Sequence, residues 1–479
     1  MRKDIFLGKR FAGYIDFEKN CNLVLGDCLN VLKEVPDETF DLVLTDPPYA
    51  LVSIQKRFGK EESKDNDKGK DGSFGRVHGG FMGKQWDSEF PKVEIWKEIL
   101  RTMKAGAFCV FTMSPRQDCL LNCLQTLKEA GFNLGFSSFF FLYHSGFPKA
   151  SDISKNLLKK GLKEESEKWF GWKSCSLKPA VEVVIVVQKF RSEKTIVEQV
   201  LKNGCGAVNI ESCRIPPSEI DKNQDRTMIQ SSDGFEKGWG MKPQGEVQVL
   251  DLNRGRFPAN LFVSGNPLKG EDTTSPSGLV NRKQRSAGWN MNTCGFNSLE
   301  NHTAGCGDSG SPNRFYDLDR WAEKRGLTLA ETLEGDLSAF FDVPKPATSE
   351  KEEGLEEFEG KIKPIATTNN RKCKICGRQQ ISGNPCRCPK PDWEIIARNR
   401  ETTVKNFHPT TKPILLFSYL AELFCQPKGI ILDPFMGSGT SGIACMKMGK
   451  GFVGIERELE YFKIAKERLK QYTEQQSLF

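Results

Sequence analysis

The chain has 479 residues, 38% of them hydrophobic, so it can bury a substantial core and is long enough for two or three domains. Its net charge of +7 suits a polyanionic partner such as a nucleic acid but does not identify one. The sequence has neither an apolar run of about 18 residues nor the apolar stretch of a signal peptide at its amino terminus, so we expect no membrane span and a cytoplasmic protein.

Strands alternate with helices in the first part of the sequence. Short apolar runs at residues 22–26 and 41–45 predict two buried strands, with a helix at 28–34 between them. The same criteria predict further helices and strands, namely helices at 92–104 and 116–130 and strands at 107–113, 137–143 and 181–187. This alternation favours a parallel sheet covered by helices on both faces.

Two long segments interrupt the alternation. Residues 53–86 combine a mixed run of charges with a glycine-rich piece, which is typical either of a solvated insertion or of a lid. From about residue 190 to 345 the sequence is irregular and rich in Gly, Ser, Asn and Pro, which indicates a separate module.

Regular alternation returns near the carboxyl end, with a helix at 411–425, strands at 429–432 and 452–455, and a helix that ends near 473. We therefore predict one α/β domain assembled from residues 1–190 and 395–479, an inserted module at 191–346 and a charged linker at 347–394.

The motif Thr-Asp-Pro-Pro-Tyr occupies residues 45–49, at the end of a predicted buried strand where open α/β sheets bind ligands. The Asp46 carboxylate and the Pro47 carbonyl could each accept an N–H bond from an amino group conjugated to a ring, which would make its nitrogen a better nucleophile. Pro47 and Pro48 have no N–H and a fixed φ, so they hold these carbonyls still. Tyr49 offers a flat face for a base turned out of a helix. The simpler structural alternative is a strand-terminating turn.

A second motif, Asp-Pro-Phe-Met-Gly-Ser-Gly-Thr at residues 433–440, follows another predicted strand. Its Gly-x-Gly turn lets the backbone approach a ligand closely. Glu456, at the end of the next strand, can accept both hydroxyls of a ribose, so the pair of features indicates a nucleoside site. The motif lacks the lysine of a P-loop, which disfavours a nucleoside triphosphate.

In this order the two motifs resemble those of the amino-methylating DNA methyltransferases of the permuted beta class, in which the catalytic motif precedes the cofactor motif. The chain looks most like the phage and prophage site-specific branch. Other segments also resemble blocks of this family, at residues 26–28, 80–87, 145–149, 177–180 with Glu182, 342–346 and 407–413. The resemblance implies a Rossmann-like sheet in permuted strand order that binds S-adenosylmethionine.

The resemblance also implies a role for each matching residue. Asp46 would contact the target amino group and Tyr49 would stack on the flipped base, in a catalytic set with Pro47 and Pro48. Residues of both halves would hold the cofactor: Asp27 and Cys28 near its adenine, Thr410 and Lys412 near its methionine carboxylate, Asp433, Pro434, Phe435, Gly437, Ser438, Gly439 and Thr440 around its methionine part, and Glu456 on its ribose. His408 is interpreted as a helix-entry residue.

The implied chemistry is direct methyl transfer to the N6 amino group of adenine in duplex DNA, without an enzyme nucleophile or a catalytic metal. Transfer to the N4 amino group of cytosine is the alternative, although Asp46 favours adenine because Ser is more frequent at that position in cytosine enzymes. A protein glutamine substrate is disfavoured by the motif order and by Asp46. A catalytically inactive DNA-binding module is the non-enzymatic alternative. Residues 191–346 would form the target-recognition region.

Four cysteines in the predicted linker have the spacing of a small zinc site. Cys373 and Cys376 form a CxxC pair, and Cys386 and Cys388 form a tighter second pair. We predict that they bind a structural zinc ion, whereas most other cysteines stand singly in apolar stretches, as reduced core thiols do. The alternative is four unligated thiols in a loop.

The last residues, 475–479, read Gln-Gln-Ser-Leu-Phe and resemble the short peptide by which bacterial replication proteins dock on the sliding clamp. Exposed Leu and Phe side chains are unusual in a solvated tail. The alternative to clamp docking is a frayed helix end. The sequence does not indicate an oligomeric state.

Overall fold

The structure, a computed structural model, describes residues 20–49, 90–142, 150–174, 177, 180–216, 255–262, 318–326, 348–356, 358–364, 371–375, 393–395, 401–406, 408 and 411–476. The chain divides into two compact units. The first comprises Met1–Phe140, Ser145–Asn209 and Pro344–Phe479, and the second comprises Phe141–His144 and Ile210–Val343. The first unit thus contains both motifs.

The strands are, in chain order, β1 (Cys21–Leu25), β2 (Phe40–Thr45), β3 (Met103–Met113), β4 (Phe139–Leu142), β5 (Val181–Gln188), β6 (Leu261–Phe262), β7 (Lys361–Pro364), β8 (Arg371–Cys373), β9 (Trp393–Ile395), β10 (Glu401–Val404), β11 (Ile430–Asp433) and β12 (Gly451–Glu456). The helices are α1 (Cys28–Lys33), α2 (Val93–Thr102), α3 (Gln117–Ala130), α4 (Ile153–Lys159), α5 (Lys163–Lys168), α6 (Ile196–Asn203), α7 (Leu318–Lys324), α8 (Thr348–Glu352), α9 (Ile414–Phe424), α10 (Thr440–Lys447) and α11 (Leu459–Gln476).

Six strands of the first unit lie side by side in the order β1, β12, β11, β2, β3, β5. The carboxyl-terminal strands β11 and β12 are therefore inserted between the amino-terminal strands β1 and β2. Neighbouring strands from β1 to β3 are parallel, with Val24 opposite Ile455 and Ile431 opposite Leu42. Because all these strands point the same way, the residues that follow β2, β11 and β12 lie at one edge of the sheet, the carboxyl edge.

The prediction of a wholly parallel sheet is wrong at β5, which runs antiparallel to β3. Val183, near the start of β5, pairs with Met113 at the end of β3. A strand buried on both faces has the same apolar sequence in either direction, so its composition could not reveal its orientation. The chain consequently enters β5 at the carboxyl edge.

The other predicted elements of this unit are confirmed, most of them to within three residues at each end. The main difference lies between α2 and β3. The helix was expected to reach residue 104, but it ends at Thr102 and the strand begins at Met103. Met103 and Ala105 are both buried and apolar, which suits a helix as well as a strand, so the pattern did not fix this boundary.

The core lies between the sheet and its helices. The indole of Trp96 is fully buried and packs against the rings of Phe90, Phe111, Phe132 and Phe435. Helix α9 is buried along its whole length, as expected for a helix that is apolar on all sides.

A buried carboxylate connects β2 with β11 at the opposite, amino edge of the sheet. Asp41 accepts hydrogen bonds from the backbone N–H of Ile430 (2.8 Å) and the side chain of Gln426 (2.9 Å), and it pairs with Lys104. These contacts satisfy a charge that would be costly to bury alone. They also help to fix the register that places the two motifs beside each other.

Part of the segment predicted as a linker packs onto the first unit. The Glu350 carboxylate in α8 accepts a bond of 2.7 Å from the backbone N–H of Ile414, and the fully buried Leu355 packs with Tyr461 and Ile464 of α11. Residues 348–356 lie within the predicted linker, and their few apolar side chains gave no periodic signal of this packing. Farther along, β7 pairs with β10 and β8 pairs with β9, both antiparallel.

In the second unit, the buried Trp321 of α7 donates a bond of 2.9 Å from its indole N–H to the carbonyl of Ser212, and Ile215 pairs with Arg256 in an antiparallel bridge. Within the described part of the chain, no helix has the length and apolar content needed to span a membrane.

Candidate functional site

The two predicted motifs meet at the carboxyl edge of the sheet. Because β2 and β11 are parallel neighbours, Asp46 and Asp433 lie at adjacent strand ends. The Thr45 hydroxyl, at the end of β2, donates a hydrogen bond of 2.5 Å to Oδ1 of Asp433. Residues almost 400 positions apart in the sequence (388 between donor and acceptor) therefore share one site.

The Asp46 carboxylate is surrounded by donors. Its Oδ1 accepts hydrogen bonds from the hydroxyls of Thr112 and Tyr49, the latter at 3.0 Å. Its Oδ2 lies 3.1 Å from the ammonium of Lys412, which is also 3.4 Å from Glu182. The same ammonium lies 5.0 Å from the centre of the Tyr49 ring, within the range of a cation–π contact.

Charge balance keeps this cluster in defined protonation states. Burial lowers the pKa of Lys412, but the carboxylates of Asp46 and Glu182 outweigh it and raise that pKa well above its usual value, so the ammonium stays charged. Burial and the same two carboxylates raise the pKa of Tyr49, so its phenol stays protonated and can donate. Two carboxylates share one cation, which leaves the cluster with an excess negative charge.

The turn after β11 is built around the Asp433 carboxylate. It accepts bonds from the Thr45 and Ser441 hydroxyls and, at 3.0 Å, from the backbone N–H of Phe435. Burial raises the pKa of Asp433 to about 6, against the lowering effect of these donors. At the start of α10, Gly439 has a φ of +81°, and an added Cβ would lie 3.1 Å from the Cβ of Ala465. The positive φ and the close approach of Ala465 therefore both favour glycine at this position.

A buried arginine forms a hydrogen bond with the turn. Arg468 of α11 donates bonds to the carbonyls of Ser438 (2.8 Å) and Glu350 (3.0 Å). Burial lowers the pKa of this guanidinium to about 10, which still leaves it charged at neutral pH. Arg468 therefore connects the turn with α8 through one carbonyl of each.

Glu456 ends β12 and faces the same turn. Its two carboxylate oxygens accept bonds from the backbone N–H groups of Gly437 (2.8 Å) and Glu458 (2.7 Å). Burial raises its pKa to about 7. Each oxygen has a second lone pair, so the side chain can accept further hydrogen bonds when it is ionised.

A cavity of about 470 Å³ joins these groups. Most of the predicted site residues line it: Asp27, Cys28, Asp46, Pro48, Lys412, Asp433, Pro434, Phe435, Gly437, Ser438, Thr440 and Glu456. Three others, Pro47, Tyr49 and Gly439, are adjacent in sequence to lining residues but do not line it, and Thr410 lies outside the described residues. The volume is within the range of about 300–1,000 Å³ that small-molecule sites have.

Two predicted cofactor residues have additional structural contacts. Asp27 caps α1, because its Oδ1 accepts a bond of 3.2 Å from the backbone N–H of Asn30. Burial raises the pKa of the neighbouring Cys28 to about 12, so this thiol is protonated and acts as an apolar surface of the cavity.

Lys412 was expected near the methionine carboxylate of a cofactor. Its ammonium instead contacts the carboxylates of Asp46 and Glu182, although the residue also lines the cavity. The sequence offered no sign of this contact, since Glu182 was noted only as part of a family block.

The interpretation of His408 as a helix-entry residue is wrong. Helix α9 begins only at Ile414, and the His408 imidazole lines the cavity with its ring centre 4.5 Å from that of Tyr461. It also lies against the turn, because a Cβ on Gly437 would be 2.8 Å from its Nε2.

Thr411 was not among the predicted site residues. Its hydroxyl is buried and has no hydrogen-bond partner among the described residues, although the residue lines the cavity. A buried hydroxyl without a partner is costly, so a ligand with a polar group at this position would stabilise it. Phe90 and Phe435 form an aromatic wall of the cavity and both pack against Trp96. Of these three residues, only Phe435 was predicted to belong to the site.

The predicted zinc site and the predicted clamp-binding peptide fall mostly outside the described residues. Cys373 ends β8, whereas Cys376, Cys386 and Cys388 are not described. The described residues contain no group of three or more side chains arranged to hold a metal ion. Helix α11 extends to Gln476, and residues 477–479 are not described.

Curated relatives match parts of the chain. The Type II methyltransferase M2.MboI of Moraxella bovis is 38% identical over 84 residues, 18% of this chain and 31% of that protein. M2.LlaDCHI of Lactococcus lactis subsp. cremoris and M2.DpnII of Streptococcus pneumoniae are each 45% identical over 62 residues, 13% of this chain and 23% of the relative. The chain thus spans less than a third of the length of these relatives.

Solved structures of DNA methylases align over most of the chain at low similarity. PvuII DNA methyltransferase, described as cytosine-N4-specific, has a TM-score of 0.37 and 12% identity over 95% of this chain and 90% of its own. TTHA0409 of Thermus thermophilus, described as a putative DNA modification methylase and solved with S-adenosyl-L-methionine, has a TM-score of 0.34 and 12% identity, over 94% of each chain.

The family profile described as DNA methylase, N6_N4_Mtase, matches residues 40–467, which is most of the chain and includes both motifs. The chain therefore belongs to the N6_N4_Mtase family of DNA methylases.

Proposed function

We propose that this protein transfers a methyl group from S-adenosylmethionine to the N6 amino group of adenine in duplex DNA. One observation carries the proposal: the Asp46 motif and the Asp433 turn adjoin the same cavity and are joined by the hydrogen bond from Thr45 to Asp433. A methyl donor held by one motif would thus lie beside an amino group held by the other, as direct transfer requires.

The residues of the cavity fit S-adenosylmethionine. The ionised Glu456 carboxylate can accept two hydroxyls of a ribose. The turn with Gly437 and Gly439 leaves its backbone open to close approach. The buried hydroxyl of Thr411, which lacks a partner among the described residues, offers a hydrogen bond to a polar group of the cofactor. The aromatic rings of Phe90 and Phe435 supply an apolar wall.

When bound, S-adenosylmethionine supplies a methyl group on a positively charged sulfur, which is already a strong electrophile. The chain has to hold the acceptor nitrogen in line with it. Asp46 and the carbonyl of Pro47 would accept the two N–H bonds of the amino group. The hydroxyls of Tyr49 and Thr112 donate hydrogen bonds to Asp46 and hold its carboxylate in one orientation. The ammonium of Lys412 lies beside its other oxygen. Tyr49 would exchange its bond to Asp46 for a stacking contact with the base.

The acceptor base is tested by methyl-labelled S-adenosylmethionine and plasmid DNA grown in a methylase-deficient host, followed by digestion to nucleosides. Label in N6-methyl-2′-deoxyadenosine supports the proposal. Label in N4-methyl-2′-deoxycytidine supports the cytosine alternative. The absence of label with any DNA, while the cofactor still binds, would support the inactive DNA-binding module. The variant Asp46→Asn is assayed in parallel as the control for label that does not depend on the Asp46 carboxylate, because it keeps the shape of the side chain but removes the charge.

We further propose that residues 191–346 recognise the target sequence and that Cys373, Cys376, Cys386 and Cys388 hold a structural zinc ion. Metal analysis of the purified protein should give one zinc ion per chain, and the double variant Cys386→Ser/Cys388→Ser should contain none. The variant Cys109→Ser, at a buried core thiol, is the control and should keep its zinc. A full zinc content in the double variant would contradict the assignment.

A further inference from the structure

Residues 150–174, which we call the helical hairpin, form a closed unit that precedes β5. Its two ends are joined by the bond from the backbone N–H of Ser174 to the carbonyl of Ser151 (2.8 Å). Inside it, α4 and α5 are linked by a buried hydrogen bond of 2.8 Å between Ser154 and Ser166. The helical hairpin therefore has a defined shape rather than that of an open loop.

The helical hairpin is attached at the carboxyl edge of the sheet, next to the site. Its last residue, Ser174, is eight positions before Glu182, which lies 3.4 Å from Lys412 in the Asp46 cluster. Eight residues span less than about 30 Å even when fully extended. Because β5 runs antiparallel to β3, the connecting chain reaches the sheet at the edge that carries Asp46.

The surface of the helical hairpin combines exposed aromatic rings with positive charge. Phe170 is 82% exposed, Trp172 is 61% exposed and Trp169 is 37% exposed, and the two indoles contact each other with ring centres 5.3 Å apart. The segment has six lysines and four acidic residues, so it is positively charged. Exposed apolar side chains that are grouped together and rimmed by polar residues often mark an interaction site.

From this surface we infer that the helical hairpin binds the DNA that flanks the target base, an inference that rests on the proposed function. Lysine side chains such as Lys159 and Lys160 bind phosphates, and the rings of Phe170 and Trp172 stack on bases that lose a neighbour when the target is displaced. This contact lies outside the predicted recognition region at 191–346. It increases affinity at any sequence, because stacking and phosphate contacts do not read base edges.

The charge of the surface argues against a second copy of this chain as the occupant. Two copies facing each other through the helical hairpin would bring two positive surfaces together, which Coulomb repulsion opposes. DNA has the complementary charge, and its bases have flat faces on which the aromatic rings can stack.

The test is the double variant Phe170→Ala/Trp172→Ala, measured by fluorescence anisotropy with a labelled duplex of random sequence that contains one mismatch. We expect an affinity at least about tenfold lower than that of the unchanged protein, from the loss of stacking. The matched control is Val197→Ala/Leu201→Ala. These residues are also exposed, but α6 packs beside the start of β3 at the amino edge, where Gln199 binds the carbonyl of Ala105. The control should bind DNA normally.

A second variant, Lys159→Gln/Lys160→Gln, tests the charge. It should reduce the slope of log affinity against log salt by about 1.8, because each phosphate contact contributes about 0.9. Both double variants should bind S-adenosylmethionine as the unchanged protein does, which shows that they are folded.

Equal DNA affinity of the aromatic variant and its control overturns the inference. So does a loss of self-association with unchanged affinity per chain, which would identify the surface as an interface between copies. Failure of the proposed function is a different result: the unchanged protein would then bind DNA through the helical hairpin but transfer no methyl group to it.

Discussion

Lowering the pH from about 8 to about 6 should weaken the binding of S-adenosylmethionine, because Glu456 titrates in this range. Burial raises the pKa of its carboxyl to about 7. The ionised form, which accepts the two ribose hydroxyls, is therefore the main form above this value and is lost as the pH falls through it. A protonated carboxyl would donate one bond and accept less well.

The size of the effect follows from the ionised fraction. With a pKa of about 7, Glu456 is about 90% ionised at pH 8 and about 10% ionised at pH 6, so the apparent Kd should rise about tenfold over this range. Isothermal titration calorimetry across the range measures the change. Near pH 7, titrations in two buffers with different ionisation enthalpies should show the release of about half a proton on binding.

The variant Glu456→Gln supplies the baseline, because the amino group of the cofactor can itself titrate, as the α-amino group of a peptide does with a pKa of about 8. The variant should bind weakly at every pH and keep only the dependence that comes from the ligand. If the unchanged protein and the variant have the same pH dependence, Glu456 is not the group that titrates, and its assignment to the ribose loses its electrostatic support.

Three further predictions test the other parts of the site. Asp46→Ala should abolish methyl transfer while changing the Kd for the cofactor less than about threefold, because Asp46 is assigned to the target base and not to the cofactor; loss of cofactor binding with surviving turnover would reverse the assigned roles. Lys412→Met should lower the free energy of unfolding, measured in urea, by about 3 kcal/mol, because it leaves two buried carboxylates without a cation. Adding Glu182→Gln should restore part of this free energy. If it restores none, lost packing and not lost charge explains the effect. Gly439→Ala and Gly449→Ala should each lower the free energy of unfolding by about 1 kcal/mol, because both glycines have a positive φ. Only Gly439→Ala, whose new Cβ meets Ala465, should weaken cofactor binding in calorimetry. Equal effects of the two variants on cofactor binding would show that the turn tolerates a side chain.

The sequence was sufficient to locate the two motifs because each follows a short strand with a continuous apolar centre. Residues 41–45 and 430–432 could be recognised as buried strands by composition alone. Parallel strands in an α/β sheet point their carboxyl ends to one edge, so the meeting of Asp46 with Asp433 followed once both strands were assigned to one sheet. The family resemblance supplied the permuted order of the two motifs.

Contacts between distant side chains were beyond the sequence pattern. The contacts of Lys412 with Asp46 and Glu182 join three separate elements, and their residue types would equally suit a solvated surface. His408 was read from its place ahead of a predicted helix, but its environment is set by Tyr461, more than fifty residues later. Thr411 gave no signal at all, because a threonine hydroxyl acquires significance only when it is buried without a partner.

The strand order has a consequence for how the protein forms during synthesis. Strands β1 and β2 leave the ribosome before β11 and β12, the two strands that separate them in the sheet. Until then the nascent first unit has a gap two strands wide, with unpaired backbone on both sides of it. Filling this gap completes the sheet and brings the Asp433 turn beside Thr45 in a single event. A nascent chain that lacks β11 and β12 therefore also lacks the Asp433 turn and Glu456, which line one part of the cavity.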